Sequence, residues 1–404
     1  MPNYSSHTPK TTARSGAALL LPLMAVVFIA YLVIGLAMPV LPLHVHQELG
    51  FDSFVVGLVA GSQFAASLFS RVWAGHHVDH KGAKHTVITG IVAAVVAGLF
   101  YLLSMYFAAT PVTSVNFLLL GRAALGVAES FIMTGSLLWG VGLLGDSNAG
   151  KAMAWIGTAI FAALAVSAPA GTSLYAGYGF LAIALVATVL PILGLPLIAP
   201  LPTTPPPPQK AGSFGKVARV VWMPGIALSL SGIGFGATTT FVALVYADHG
   251  WEGTWLAFTM LSIAFMVARV FFGHLPDKFG GARVALLCVM LEGLGLATLW
   301  LAQGPHLALA GVTLTGFGYS LVYPALGVEA IRRTPPEAHG LAMGTYTAFF
   351  DLTMGIGTPV LGYVANRAGL QVVFLISAFS AFCAAPIAWW LLTTPTLTLR
   401  TKQV

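Results

Sequence analysis

The feature that most constrains the fold of this chain is a series of long apolar segments separated by short polar interruptions. A helix needs about 20 apolar residues to cross the roughly 30 Å hydrocarbon layer of a bilayer. Membrane-spanning strands would instead give segments of about ten residues with alternating polarity, and these segments do not alternate. We therefore predict an all-α polytopic membrane protein with twelve spans, near residues 17–45, 54–75, 85–107, 113–142, 149–173, 178–200, 222–247, 253–275, 283–302, 306–331, 338–365 and 370–393.

The charge content excludes a soluble protein. Charged residues make up 7% of the 404 residues, whereas about 25% is usual for a soluble globular chain. So few charged groups cannot cover a water-exposed surface, and hydrophobic residues reach 57%. The two cysteines, Cys288 and Cys383, both lie in apolar segments without a CxxC pattern, which favours inert packing residues.

A proline-rich, basic stretch separates the sixth segment from the seventh. It contains Pro205 to Pro208 followed by Lys210, a composition typical of a semi-rigid linker. We expect two six-helix bundles, with the chain divided into a cytoplasmic N-terminus (1–16), the first bundle (17–200), a cytoplasmic linker (201–221), the second bundle (222–393) and a cytoplasmic C-terminus (394–404).

The basic residues mark one side of the membrane. With the N-terminus inside, all of the 18 Lys and Arg residues except Arg122 and Arg367 fall in cytoplasmic loops or at cytoplasmic helix ends. An excess of Lys and Arg is typical of cytoplasmic loops. The net charge of +6 is thus explained by topology, and we expect no nucleic-acid partner.

The two halves of the chain carry an internal repeat. Arg71, Gly75 and Asp79 recur 198 positions later as Arg269, Gly273 and Asp277. Ser130 recurs as Ser320 at an offset of 190. Two homologous halves are typical of transporters, in which the substrate site lies between the halves near the bilayer midplane.

The repeated loop carries a motif. The pattern Gly-x-x-x-Asp-x-x-Gly-x-Lys/Arg resembles the loop motif of the major facilitator superfamily, whose acid and base form a cytoplasmic latch in one access state. The resemblance implies two cytoplasmic gates, although an ordinary basic loop is the alternative. Their residues are Arg71, Gly75, Asp79, Gly82 and Lys84, and Arg269, Gly273, Asp277, Gly280 and Arg283.

Histidines crowd the first copy of this loop. His80 stands where the family often has arginine, which indicates a weaker or pH-sensitive latch. His76, His77 and His85 raise the question of a metal ion, since imidazole is a common metal ligand. Because no cysteine and no fixed ligand spacing accompany them, we predict neither a metal site nor a cofactor.

Charges within spans are costly and point to function. Arg122 and Glu129 lie seven residues apart in span four, on one face and about 10 Å apart along the helix. The pattern Gly121-Arg122-x-x-x-Gly126 resembles one that the family associates with proton coupling. Glu129 is therefore a candidate proton carrier or substrate counter-ion, and a purely structural ion pair is the alternative. Asp351 is a second candidate, and Glu292 ranks lower because span nine usually faces away from the cavity in this family.

The expected cavity lies between spans one, four, seven and ten. Besides Arg122 and Glu129, its polar residues are predicted to be Gln63, Ser130, Thr239, Tyr319, Ser320 and Tyr323. The sequences around Glu129 and Tyr319 resemble those of bacterial sugar-efflux and drug-efflux-like permeases. The resemblance implies a monomeric carrier in the lipid of the bacterial inner membrane, with both termini cytoplasmic, that exchanges protons for a small organic solute as the two bundles rock.

Other activities remain as alternatives. Proton-symport uptake of a sugar or organic acid is the close one, because rocking is reversible, and a non-transporting membrane receptor is remote. Ala168-Pro169-Ala170-Gly171 partly resembles an antiporter motif and modestly favours export. The absence of GxxxxGK[ST] indicates an ion gradient as the energy source, and the absence of HExxH and GxSxG argues against an enzyme.

Overall fold

A computed structural model describes residues 16–145, 149–204, 214–335 and 338–394. These ranges are almost entirely helical and contain no strand. Eleven of the helices or helical runs are long and apolar enough to cross a membrane. In chain order they are α1 (Gly16–Ala37), α2 (Ser53–Lys81), α3 (Ala83–Tyr106), α4 (Pro111–Leu144), the run Ala149–Val189 with its extension to Ile198, α7 (Phe214–Asp248), α8 (Thr254–Phe272), α9 (Gly281–Trp300), α10 (Pro305–Arg332), α11 (His339–Ala368) and α12 (Leu370–Thr393).

The run that starts at Ala149 contains two spans. Gly179 interrupts it with φ 69° and ψ −170°, a conformation that glycine adopts without the strain of a Cβ atom. We name the two parts α5 (149–178) and α6 (180–198), the second completed by the 3₁₀ turn Leu190–Leu193 and the short helix Gly194–Ile198. The prediction of twelve spans is confirmed.

The two halves use the same helix pairs. In the first half α2 and α3 pack on α4, α1 packs on α5, and α3 packs on α6; in the second half α8 and α9 pack on α10, α7 packs on α11, and α9 packs on α12. The repeat extends to single hydrogen bonds. Ser130 Oγ donates to the Ser67 carbonyl at 3.1 Å, and Ser320 Oγ donates to the Phe265 carbonyl at 2.7 Å. The expected architecture of two related six-helix bundles is therefore present.

The structure describes only part of the segments that are predicted to lie outside the two bundles. Residues 1–15, 205–213 and 395–404 lie outside the described ranges. Of the expected linker, 201–204 is non-helical, while α7 already begins at Phe214. The seventh helix therefore extends into the stretch that the sequence suggested as linker.

The halves meet through α2 against α11 and through α5 against α8. We call the side of the molecule with the α1–α2 loop the Asp52 end and the opposite side the Lys84 end. Near the Asp52 end the Ser53 amide donates to Asn366 Oδ1 at 2.9 Å, and Thr358 Oγ1 donates to the Gly57 carbonyl at 3.0 Å. Small residues at this contact bring the two backbones close together.

Candidate functional site

A cluster of polar side chains lies where α1, α2, α4 and α11 meet. Its centre is an ion pair between Arg71 of α2 and Asp351 of α11. The guanidinium binds the carboxylate through two nitrogens: Nε donates to Oδ2, and Nη2 donates to Oδ1 at 3.1 Å. Asp351 is 1% exposed and Arg71 21%. This two-point, charge-assisted contact joins the two halves of the molecule deep inside the bundle.

Glu129 of α4 lies in the same cluster. Its Oε1 accepts a hydrogen bond from the Tyr31 hydroxyl at 3.2 Å, and its Oε2 accepts one from Gln63 Nε2 at 2.8 Å. In the described part of the chain Glu129 forms no direct ion pair, but it interacts electrostatically with Arg71. One guanidinium therefore lies near two carboxylates. The three groups together carry one net negative charge, which a single proton neutralises.

The position of Arg71 differs from the expectation of a residue at a helix end. It lies ten residues before Lys81, the last residue of α2, which is about 15 Å of helix. The sequence signal was available, because the apolar periodicity of span two continues past Arg71, but its partner is 280 positions away and carries no sequence mark.

Arg122 and Glu129 share α4 but do not form a pair. Arg122 is 3% exposed, lies beside the phenol of Tyr101 and lines a cavity nearer the Asp52 end. Glu129 is turned towards Tyr31 and Gln63. Seven residues keep two side chains on one helix face but separate them by about 10 Å, so the two charges occupy different layers of the molecule.

The remaining residues predicted for the cavity fall into two groups. Ser130 and Ser320 are fully buried in the helix contacts described above, where their hydroxyls donate to backbone carbonyls. Thr239, Tyr319 and Tyr323 lie nearer the boundary between the halves. Thr239 lines two cavities, the Tyr319 ring stacks on Phe235 with centroids 4.8 Å apart, and the Tyr323 hydroxyl lies 2.7 Å from that of Thr347.

Glu292 lies inside the second bundle, away from the central cluster. It is completely buried, and its carboxylate accepts a hydrogen bond from Ser231 of α7. The backbone of Gly318 in α10 packs closely against α9 at this residue. Its other carboxylate oxygen, Oε1, has no hydrogen-bond partner in the described ranges.

The two copies of the loop motif share a backbone feature. Gly82 and Gly280 have φ angles of 82° and 91° and separate one helix from the next. Such angles are strained for any residue with a Cβ atom. The motif glycines at these two positions therefore serve the turn itself, whereas Gly75 faces open space and Gly273 ends α8.

The charged residues of the motif do not form the expected acid–base contact in this state. Lys84 Nζ donates to the carbonyls of Ala199 and Leu201 at 2.8 Å each, which ties the start of α3 to the end of α6. Neither Asp79 nor Asp277 has a hydrogen bond or ion pair with another residue that the structure describes. Arg283 is exposed, and Arg269 donates to the Ser320 carbonyl at 2.8 Å.

A different ion pair holds the Lys84 end of the second bundle together. Glu329 of α10 binds Arg333, the residue that follows this helix, and accepts a hydrogen bond from the Ala282 amide at 2.9 Å. Arg333 also donates to the Leu391 carbonyl of α12 at 2.9 Å. No group of three or more potential metal ligands occurs in the described ranges, the histidines after Gly75 included.

Comparison with known proteins decides the family. The sequence profile of the Major Facilitator Superfamily matches residues 23–275 and, in an overlapping second match, residues 225–403. The chain belongs to the major facilitator superfamily. An uncharacterised MFS-type transporter of Salmonella typhimurium is 40% identical over 95% of this chain and 99% of its own length. The uncharacterised MFS-type transporter YhhS of Escherichia coli K12 is 39% identical over 90% of this chain and 89% of its own.

Solved structures of the superfamily share the fold at low sequence identity. The nucleoside transporter NupG superimposes with a TM-score of 0.76 at 15% identity, covering 92% of this chain and 99% of its own. A D-xylose-proton symporter gives 0.75 at 14% identity, covering 94% and 98%. The protein is therefore a multi-pass membrane transporter of the superfamily, and its matched relatives are transporters.

Proposed function

We propose that the protein is a proton-coupled exporter that exchanges a small organic solute for protons across the bacterial inner membrane. The observation that carries this proposal is the position of Arg71 between Asp351 and Glu129, at the contact between the halves. Charged groups inside a membrane protein are typical of proton and substrate pathways. In this family such groups act through alternating access of a site between the halves.

The coupling follows from which groups the proton neutralises. A proton on Asp351 removes the charge that holds Arg71, so it weakens a contact between α2 and α11. A proton on Glu129 removes the second negative charge near the same guanidinium. A solute bound between the halves favours the arrangement in which these carboxylates are charged, and protonation favours the other arrangement. Proton and solute then occupy the carrier in turn, which is the requirement for antiport.

The orientation in the membrane follows from the basic residues. Lys81, Lys84 and Arg283 lie at the Lys84 end, whereas Asp52 and Glu252 lie at the opposite end. The positive-inside rule places the Lys84 end and both termini in the cytoplasm. The contacts of Ser53 and Gly57 then close the periplasmic side, and the unformed latch of Asp79 and Asp277 belongs to an inward-facing state.

Transport in oriented vesicles tests the proposal. Everted and right-side-out vesicles that contain the protein are given a pH gradient in which the periplasmic face is the acidic one, together with a panel of labelled metabolites and drugs. We expect gradient-driven accumulation in everted vesicles only, and loss of it in Glu129→Gln and Asp351→Asn. Glu252→Gln, the same chemical change at an exposed position, is the control that retains transport.

Two other results would contradict the proposal. Accumulation in right-side-out vesicles alone establishes proton-symport uptake. Full gradient dependence in both carboxylate variants shows that protons are carried elsewhere, with fully buried Glu292 as the next residue to substitute.

A further inference from the structure

A second polar site lies nearer the Asp52 end than the central cluster. It is a cavity of about 20 Å³ between α1, α2, α4 and α7. That volume holds about one water molecule. Apolar side chains form most of its wall, and the polar side chains on it are Arg122 from the first half and Thr239 and Thr240 from the second.

No residue that the structure describes compensates the charge of Arg122. The side chain is 3% exposed, and its Nε and Nη1 atoms have no hydrogen-bond partner among the described residues. No carboxylate of the described residues forms an ion pair with it, and its polar neighbour is the phenol of Tyr101. A buried guanidinium without an anion is strongly unfavourable. The arrangement is that of a site which receives its anion from outside the chain.

Thr240 supplies a second unused polar group on the same wall. Thr238 and Thr239 donate their hydroxyls to carbonyls of their own helix at 2.9 Å, the usual arrangement for threonine in a helix. Thr240 is 3% exposed and makes no such bond within the residues that the structure describes. Because it belongs to α7, an anion held by Arg122 and Thr240 bridges the two halves.

We propose that Arg122 and Thr240 bind a carboxylate group of the transported solute. This inference rests on the proposed function and adds the substrate class. A carboxylate matches the planar guanidinium and needs few further donors, whereas one basic residue and one unused hydroxyl offer too few donors for a doubly charged phosphate.

The body of such a solute has a place beside the anion site. A neighbouring cavity of about 50 Å³ shares Met38 and Thr239 with the first. Its wall carries the rings of Phe235 from α7 and of Phe258 and Phe265 from α8. These surroundings suit a compact, flat, apolar group. The proposed substrate is therefore a small monocarboxylate with an apolar or aromatic body.

Direct binding tests this assignment without a proton gradient. The full-length protein in nanodiscs of uncharged lipid is titrated with benzoate, benzamide, inorganic phosphate and chloride at constant ionic strength, with calorimetry as the readout. We expect benzoate to bind at least tenfold more tightly than the other three. Arg122→Gln should weaken benzoate binding at least tenfold and Thr240→Val severalfold, whereas Arg219→Gln, at an exposed position, should bind as the unmodified protein does.

Each outcome decides the inference. Unchanged benzoate affinity in Arg122→Gln overturns it, as does equal affinity for benzoate and benzamide or for benzoate and chloride. If Arg122→Gln does not fold, Thr240→Val and Arg122→Lys answer the same question, and normal benzoate affinity in both overturns the site. Gradient-driven transport of another solute without benzoate binding removes only this inference, whereas benzoate binding without any gradient-driven transport removes the proposed function.

Discussion

At the scale of single residues, the ion pair of Arg71 with Asp351 should contribute measurably to the free energy of unfolding. Breaking a buried ion pair leaves an unpaired charge and costs about 3–5 kcal/mol, and less where water reaches one partner. Arg71 is 21% exposed. We expect Arg71→Gln and Asp351→Asn each to lower the free energy of unfolding by about 1–3 kcal/mol. The double variant should lose less than the sum of the two, because neither charge remains unpaired.

Chemical denaturation of the four proteins in one detergent measures this coupling. Ser130→Ala combined with Asp351→Asn is the matched comparison, because Ser130 donates to a backbone carbonyl within its own half. Strict additivity for Arg71 and Asp351 would show that their contact contributes nothing to stability.

The sequence alone indicates the buried carboxylates of this cluster but not the side chains that bind them. A carboxylate in an apolar span is visible without a structure, so Glu129 and Asp351 were both predicted as functional. Their partners were not, since Arg71 looked like a residue of the basic loop and Tyr31 like part of an apolar helix. Local patterns reveal which side chains are costly to bury. They do not reveal which distant side chain compensates the cost, because that depends on how the helices pack.

At the scale of elements, glycines control how closely α2 approaches α11. A Cβ atom at Gly57 would overlap the backbone of Thr358 and Pro359. We expect Gly57→Val to push the two helices apart and open the Asp52 end. In this variant a cysteine placed at Ser53, which is 7% exposed and whose backbone amide donates to Asn366 in the closed contact, should react faster with a water-soluble maleimide.

Gly344→Val is the control for that experiment. It makes the same substitution in α11 at a position where a Cβ atom meets nothing within 4 Å. Equal labelling of the cysteine in the Gly57 and Gly344 variants would show that this glycine contact does not hold the end closed. Sequence alone named the repeat and the spans, but it did not select Gly57 from the 45 glycines of the chain.

At the scale of the whole molecule, the two halves repeat their packing, and one charge contact, that of Arg71 with Asp351, crosses between them. Arg71 and its repeat counterpart Arg269 lie at matching places, yet the first binds across the halves and the second donates to a carbonyl of its own bundle. We therefore expect Arg71→Gln to abolish gradient-driven transport and Arg269→Gln to retain it at a similar protein level. Equal loss in both variants would show that the symmetric position matters and the contact to Asp351 does not.

The orientation of the whole molecule is the last prediction, and it rests on charge alone. Cys288 and Cys383 lie within spans, so single cysteines are introduced into a variant in which both are serine. In intact spheroplasts we expect an impermeant maleimide to label a cysteine at exposed Glu252 and not one at exposed Arg283. Permeabilised cells should label both positions. We expect this pattern because basic loops are retained in the cytoplasm during insertion. The reverse pattern would place the Lys84 end outside, and the closed contact of Ser53 with Asn366 would then face the cytoplasm.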